Sequence, residues 1–452
     1  MNYLAKRLNL FGVGFLAGLL FLFFSQSSFA QLNDADSLQN IIPSLTGKAR
    51  VDALIEYSRA IKGIDYGKSK ATAQEAYKLA DKINYDRGKV LALISEGVNE
   101  FSIFNNTQSR KLFNESIHLS RKIGTRDLEG YAYAYLGLNY QNANQLDSAL
   151  IYYNDSMLLL KDANNPFYLS FLYLTLSDYY GVLGESENQF NYLAKCWAIR
   201  EKFKFTKYLP YIGTRMAAYY VNKGDFGQAK SYLDKAQNAL GNDTLKGESI
   251  ALIHQQRAIL YAREGKVLLA LDQSSKAKKF YEENSFPLEL TNLLIETGEV
   301  FEDISNYEAG LKDLLRALEI AEANQFEFEI VKIWIRSAWI YYDLNELEMA
   351  KENLNKAMSA PTISRYPKEE AAALSLMGLI LTAEKKMGES MWYLKRSLAI
   401  RKRINYKIGV AASYFNIGLA FEDLNNLDSA LYYHKKSLAL EEANGHLAGI
   451  AY

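Results

Sequence analysis

The chain has 452 residues, of which 49% are hydrophobic and 33 are tyrosine, ample material for a packed core and too little net charge for disorder. Lysine plus arginine number 52 and aspartate plus glutamate also 52, so no global field draws nucleic acid or an anionic lipid surface, and nucleic acid is not expected as a partner. A single cysteine, Cys196, excludes an intrachain disulfide and leaves folding to packing alone.

The first thirty residues are a different material. Lys6 and Arg7 precede an apolar run from Leu10 to Phe24, no acidic residue comes before Asp34, and Ser28-Phe29-Ala30 puts small residues where a signal peptidase reads. Residues 1–30 therefore read as a secretory signal peptide cut after Ala30. The alternative is an uncleaved anchor, for which the run is short against the ~20 residues of a typical span. Either way the basic pair stays inside, and the rest of the chain is expected in the periplasm or on the extracytoplasmic side. No cysteine near the cut provides for a lipid anchor. Residues 31–46, with Pro43, read as a polar leader.

From residue 47 to 445 one skeleton returns ten times, at a spacing of 40 residues with one 41. Its first mark is a small residue: Gly97, Gly137, Ser177, Ala217, Ala258, Gly298, Ala338, Gly378 and Gly418, with bulky Tyr57 in the first unit. Three places on stands an aromatic, such as Tyr140, Tyr180, Tyr220, Tyr261, Phe301, Tyr341 or Phe421. A further small residue follows twelve places after the first, and another seven beyond that: Ala76, Ser116, Ser156, Cys196, Ala236, Ala277, Ala317, Ala357, Ser397 and Ser437. A fixed period of this size means a stack of identical supersecondary units.

Within a unit, Leu374, Met377, Gly378 and Leu381, then Met391, Leu394, Leu398 and Ile400, recur at helical spacing on either side of a turn. Two amphipathic helices result, and the small residues let their backbones approach. Asn144, Gly184, Gly224, Gly265, Asn345 and Asn425 mark the turn inside units. Asn84, Gly124, Asn164, Asn284, Asn324, Asn405 and Asn444 mark the junctions, as residues that tolerate a left-handed conformation. Pro166, Pro210, Pro287, Pro361 and Pro367 all fall at or near junctions and none inside a helix.

This order of small, aromatic, alanine, large and alanine resembles the tetratricopeptide repeat, and Asn416 to Leu440 (NIGLAFEDLNNLDSALYYHKKSLAL) is a close match. The resemblance spans residues 47–452, with units of 40 residues against the family's usual 34. It implies an all-α solenoid, a right-handed superhelix of about ten helix-turn-helix units making about one full turn, with the first helices lining a concave groove for a protein or peptide. Residues 446–452 read as the start of a truncated eleventh unit, because Ala448 to Ala451 align with Ile408 to Ala411 one period earlier. The natural protein is therefore expected to continue past Tyr452.

By family register the groove face carries Tyr131, Tyr135 and Asp178, then Tyr211, Arg215 and Asn222, then Gln256 and Arg263. Further on come Asn292, Glu296, Glu299 and Asp303, followed by Lys332, Arg336, Trp339 and Asp343. The acidic stripe of unit seven lies beside the basic stripe of unit eight. It reads either as a polar hot spot with Trp339 as aromatic anchor or as cross-helix salt bridges on a solvated face. Glu299 is expected to be largely solvated. The first three units show Leu54 and Ser58, Ile94 and Ser95, Ala134 and Leu138 where carboxylate-gripping members of the family carry lysine and asparagine, so a clamp for chain termini is not expected there.

No chemistry emerges. Gly63 to Ser69 has three residues between its glycines where a phosphate loop needs four, and it follows a helix. His118, His254, His434 and His446 stand apart, with no metal-ligand spacing. Cys196 occupies a packing register. No cofactor, metal or catalytic residue is expected. Exported arrays of this style resemble the input regions of bacterial sensor histidine kinases and of regulators with a helix-turn-helix output. The alternative is a free-standing periplasmic adaptor.

Overall fold

A computed structural model of the chain describes residues 28–443, apart from 63–64, 164 and 241–245. The expected signal segment up to Ser27, the junction residues Asn164 and Asn444, and the expected eleventh unit lie outside the described residues. Among those described there are twenty-one α-helices and no strand.

The leader is helical: α1 (Ser28–Ile41) runs into a short 3-10 turn (Ile42–Ser44). Ala35 and Ile42 are buried against the first unit, and the Tyr57 hydroxyl donates to Gln39 Oε1 at 2.6 Å. Ala35, Leu38 and Ile42 fall on one helical face, which gives this segment a reason to dock.

Ten helix pairs follow. They are α2 (Gly47–Ile61) with α3 (Tyr66–Lys82), α4 (Asp86–Ser102) with α5 (Asn106–Ile123), and α6 (Arg126–Asn142) with α7 (Leu146–Leu160). Next are α8 (Pro166–Leu183) with α9 (Ser186–Lys202), α10 (Leu209–Asn222) with α11 (Phe226–Asn238), and α12 (Lys246–Arg263) with α13 (Val267–Glu283). The last four pairs are α14 (Pro287–Asp303) with α15 (Tyr307–Ala323), α16 (Glu327–Asp343) with α17 (Leu347–Ser359), α18 (Pro367–Ala383) with α19 (Met387–Arg403), and α20 (Lys407–Asp423) with α21 (Leu427–Ala443). Pro166, Pro210, Pro287 and Pro367 occupy the first or second helical position, where the missing N–H costs nothing. Asp65, Asn105, Asp225 and Asn306 cap second helices by accepting from the backbone N–H three residues on.

The turn residues are left-handed at Asn144, Gly184, Gly224, Gly265, Asn345 and Asn425, and at the junctions at Asn84, Gly124 and Asn405. At two junctions the expectation is off by one: Asn284 and Asn324 keep negative φ as helix C-caps, and Ser285 and Gln325 take the positive value. Each asparagine amide instead donates to the carbonyl four residues back, at 2.8 Å.

The interlock within a unit is steric. A Cβ at Gly97 would come within 2.6 Å of the Phe113 ring, one at Gly137 within 2.6 Å of Tyr153, and one at Gly378 within 2.7 Å of Leu394. The large residue stands sixteen places after the small one each time. Beside it, the aromatic three places after the small residue stacks on a tyrosine twelve places further on. The pairs are Tyr140 with Tyr152 at 5.0 Å, Tyr180 with Tyr192 at 5.4 Å, Tyr220 with Tyr232 at 5.5 Å and Phe421 with Tyr433 at 5.6 Å. The register of Cys196 has its own bond. Ser156, Cys196, Ser397 and Ser437 each donate to the carbonyl twenty-six residues back, on the first helix, at 2.7, 3.1, 2.7 and 2.9 Å.

First helices of successive units touch one another, whereas second helices make no comparable contact. The first helices therefore line the inner, tighter side of the curve. The coil also closes on itself: Lys407 Nζ lies 2.7 Å from Glu185 Oε1, and Gly184 abuts Tyr406 and Ile408. The fourth unit thus meets the start of the tenth. The chain comes back on itself within about six units, tighter than the full turn in ten that the resemblance implied.

Gly137→Leu is expected to lower the melting temperature, by the ~1–3 kcal/mol or more of an overpacked core, because its side chain must displace the buried Tyr153 ring. Gly388→Ala, with no atom within 4 Å of the new methyl, is expected to leave it unchanged or raise it. Equal melting of the two variants would contradict the interlock.

Candidate functional site

The sixteen groove candidates fall into three stretches of the inner face. At the N-terminal end Tyr131 is not a groove residue but core. It is 3% exposed, with its ring stacked on Tyr168 at 4.1 Å and edge-on to Tyr135 at 5.0 Å. Only its hydroxyl is polar in setting, 3.1 Å from that of half-buried Tyr135. Both phenols feel the Arg59 guanidinium, and burial pushes Tyr135 up to about 12. Arg59 Nη1 donates to Glu56 at 2.7 Å. Lys62, one turn on, is brought down to about 8 by burial and by the charges of Lys207 and Arg59. None of these cations stood out in the sequence, because unit one diverges most from the repeat.

In the next stretch Asp178 and Arg215 form a buried ion pair between α8 and α10, and Arg215 Nη1 also donates to the Tyr211 hydroxyl at 3.3 Å. Burial raises the Asp178 carboxyl and its arginine opposes that rise. These charges hold units four and five together through Arg215 Nη1, while Arg215 Nη2 is buried without a hydrogen-bond partner.

A register emerges here. Asp178 comes one place after the small residue of its unit, and Arg215 two places before the small residue of the next. Glu299 and Arg336 hold the same two places in units seven and eight, and they too are paired, at 2.6 Å. Glu299 is therefore not the solvated residue its charge suggested: the pair leaves its side chain 14% exposed. The following pair in this register is Trp339 with Leu376, both buried in one apolar cluster. Trp339 is thus a core residue facing the next unit, with its ring edge-on to Tyr342 at 5.9 Å, and not an exposed anchor. Its indole N–H has no hydrogen-bond partner.

Between those two ion pairs the register breaks. The arginine place is taken by Gln256 in unit six and Glu296 in unit seven, and the acid place opposite by Ala218 and Ile259. The inner face opens there into a shallow cleft lined by Ala218, Val221, Asn222, Gln256, Ile259, Arg263, Glu296, Glu299, Val300 and Asp303. Six of the candidates converge on it: Asn222, Gln256, Arg263, Glu296, Glu299 and Asp303. Arg263 lies 3.6 Å from Asp303. The buried Gln256 side chain, 2% exposed, has an Nε2 without any partner. Glu296 accepts from the Gln255 amide at 2.5 Å, and no cation lies within ion-pair distance of it among the described residues. Burial raises its carboxyl to about 7; Glu299 adds to the rise, while the Gln255 bond and Lys332 oppose it. Such a carboxyl keeps a proton that the unfolded chain releases, so it erodes stability as pH rises from 4.5 to about 7. Gln255 and the apolar walls were not anticipated; the register that leaves the cleft open is nonetheless written in the repeat.

Of the remaining candidates, Lys332 Nζ donates to Asn292 Oδ1 at 3.3 Å and lies over the Phe328 ring at 5.4 Å, beside the cleft but outside it. Asp343 is half-buried at the end of α16. The described residues hold no group of three or more potential metal ligands. Burial raises Cys196 to about 11, which keeps it a protonated packing thiol.

Fold and inner face together define a helical-repeat solenoid. Residues 331–361 and 369–443 match models of the tetratricopeptide repeat, and the fold matches tetratricopeptide-like helical solenoids. Among solved structures, a Rap protein complexed with competence and sporulation factor is 12% identical, over 88% of this chain and 99% of that one, with a TM-score of 0.55. The apo quorum sensor NprR of B. thuringiensis is 15% identical, over 78% and 98%, with a TM-score of 0.48. The human IFIT1 dimer with m7Gppp-AAAA is 16% identical, over 92% and 96%, with a TM-score of 0.49. At these identities the likeness is one of fold. No curated protein matches the chain.

Trp339→Ala is expected to cost about 3–5 kcal/mol of stability, as a large residue removed from a core, and to show it in urea unfolding. An unchanged unfolding midpoint would return Trp339 to the groove.

Proposed function

We propose that this chain is a binding module that takes a linear protein or peptide segment along its inner face, centred on the cleft between α10, α12 and α14. The observation that carries this is the buried, unpartnered Gln256 amide in an open cleft with apolar walls. An unmet buried donor costs about 1–3 kcal/mol, and a carbonyl from a bound backbone meets it. The Rap protein that shares this fold was captured with a factor bound, which supports the same use of the fold. The test is a random-peptide display library selected on the full chain. Enriched peptides are expected to lose at least tenfold in affinity for Gln256→Met, which keeps the shape and removes the donor. They should bind Leu268→Ala, altered on the exposed outer surface, as before. No enrichment, or equal binding to all three, would overturn the proposal.

The chain is further proposed to be exported, as the input region of a membrane signalling protein. The basic pair before an apolar run supports export, and the resemblance to sensor input regions supports signalling. Cleavage after Ala30 would leave most of α1 in place. Among the described residues no helix is long and apolar enough to cross a membrane. N-terminal sequencing after cell fractionation is expected to find Gln31 first, in the membrane fraction. An intact Met1 in the cytoplasm would refute export, and a free extracytoplasmic form would favour the adaptor.

A further inference from the structure

Charge accounting around the cleft leaves one remainder. Glu299 is matched by Arg336 at 2.6 Å and Asp303 by Arg263 at 3.6 Å. Glu296 has only a neutral amide. It stands in the place where units five and eight carry Arg215 and Arg336, so the chain has put a carboxylate at a point built for a cation and an apolar Ile259 where the answering charge would come. Around it, Ala218, Val221, Ile259 and Val300 make an apolar wall, the surface along which the methylene stem of a long basic side chain packs while its head keeps its charge.

We propose that this cleft is a subsite for a lysine or arginine side chain of the bound peptide, with Glu296 as its counter-ion and Gln256 holding the adjacent backbone carbonyl. The proposal rests on the peptide-groove reading and names the ligand chemistry at its centre. A metal ion is a poorer occupant, because two of the three carboxylates already hold arginines. The groups that face Glu296 are few. Gln255 and Arg263 come from α12, Glu299 and Asp303 from α14 itself, Lys332 and Arg336 from α16, and the buried Tyr281 phenol, held protonated, from α13. Lys332 is turned to Asn292 and the Phe328 ring, so it does not occupy the place.

The proposal has a proton signature. Near neutral pH the empty subsite is half protonated, and a cation binds only the ionised form. Binding therefore expels a proton, and affinity is expected to fall about tenfold from pH 8 to pH 6.

Two measurements test it. The first titrates the Glu296 carboxyl of the full chain by carbon NMR, assigned by its loss in Glu296→Gln, as n-butylammonium is added against tetramethylammonium at equal ionic strength. The midpoint is expected near neutrality and should fall by a unit or more with n-butylammonium alone. No fall, or an equal fall with both ions, overturns the subsite whatever the groove does. The second takes display-selected peptides and replaces each lysine or arginine by norleucine. One such exchange is expected to weaken binding tenfold or more at pH 8, and to have no effect on Glu296→Gln, whose fold is checked by its melting temperature. Cleft-binding peptides with no basic residue, or equal loss in both proteins, would refute the cation and leave the groove standing. An amine response with no peptide binding at all would refute the groove and leave a small-cation site.

Discussion

Everything in this molecule depends on how closely two helices can lie. In most units a glycine, alanine or serine on the first helix accepts a Phe, Tyr or Leu side chain from the second, and at Gly97, Gly137 and Gly378 the distances leave no room for another methyl group. That contact sets the separation of the pair. The stacked aromatics beside it set its rotation, and the serine or cysteine that bonds a first-helix carbonyl sets its height. Stacked pair on pair, with first helices meeting first helices on one side, such units make a curved stack with an inner face.

The inner face is mostly spoken for. Tyr131, Trp339 and the Asp178–Arg215 pair are occupied in joining one unit to the next. Binding capacity is left where that joining lapses, around Gln256 and Glu296. The lapse coincides with the single 41-residue spacing, between Ala217 and Ala258. Functional residues here are departures from the repeat, and the repeat supplies the standard against which they show.

That also explains what could be read from the sequence. Helix order, proline placement, the close-packed glycines and the packed role of Cys196 all follow from spacing alone, because each is a local rule repeated many times. The cleft was half visible. Asn222, Gln256, Arg263, Glu296, Glu299 and Asp303 lie on first helices with the spacing of one face. What could not be read was depth. Trp339 and Glu299 follow the small residue directly and look alike in register; which is buried in apolar company and which in an ion pair depends on the residue thirty-seven places on, in another unit. The helical leader was missed because its polar composition outweighed three well-spaced apolar residues. The contact between Glu185 and Lys407 has no local signal at all.

That last contact changes what kind of object the stack is. Most contacts among the described helices link neighbouring units, so units could zip from many starting points with little entropy lost per step. Lys407 and Glu185 are 222 positions apart, and they can meet only when every intervening unit is in place. With Gly184 packed against Tyr406 and Ile408 beside it, the pair ties the fourth unit to the start of the tenth, so widening the coil there has to part side chains far apart in the chain.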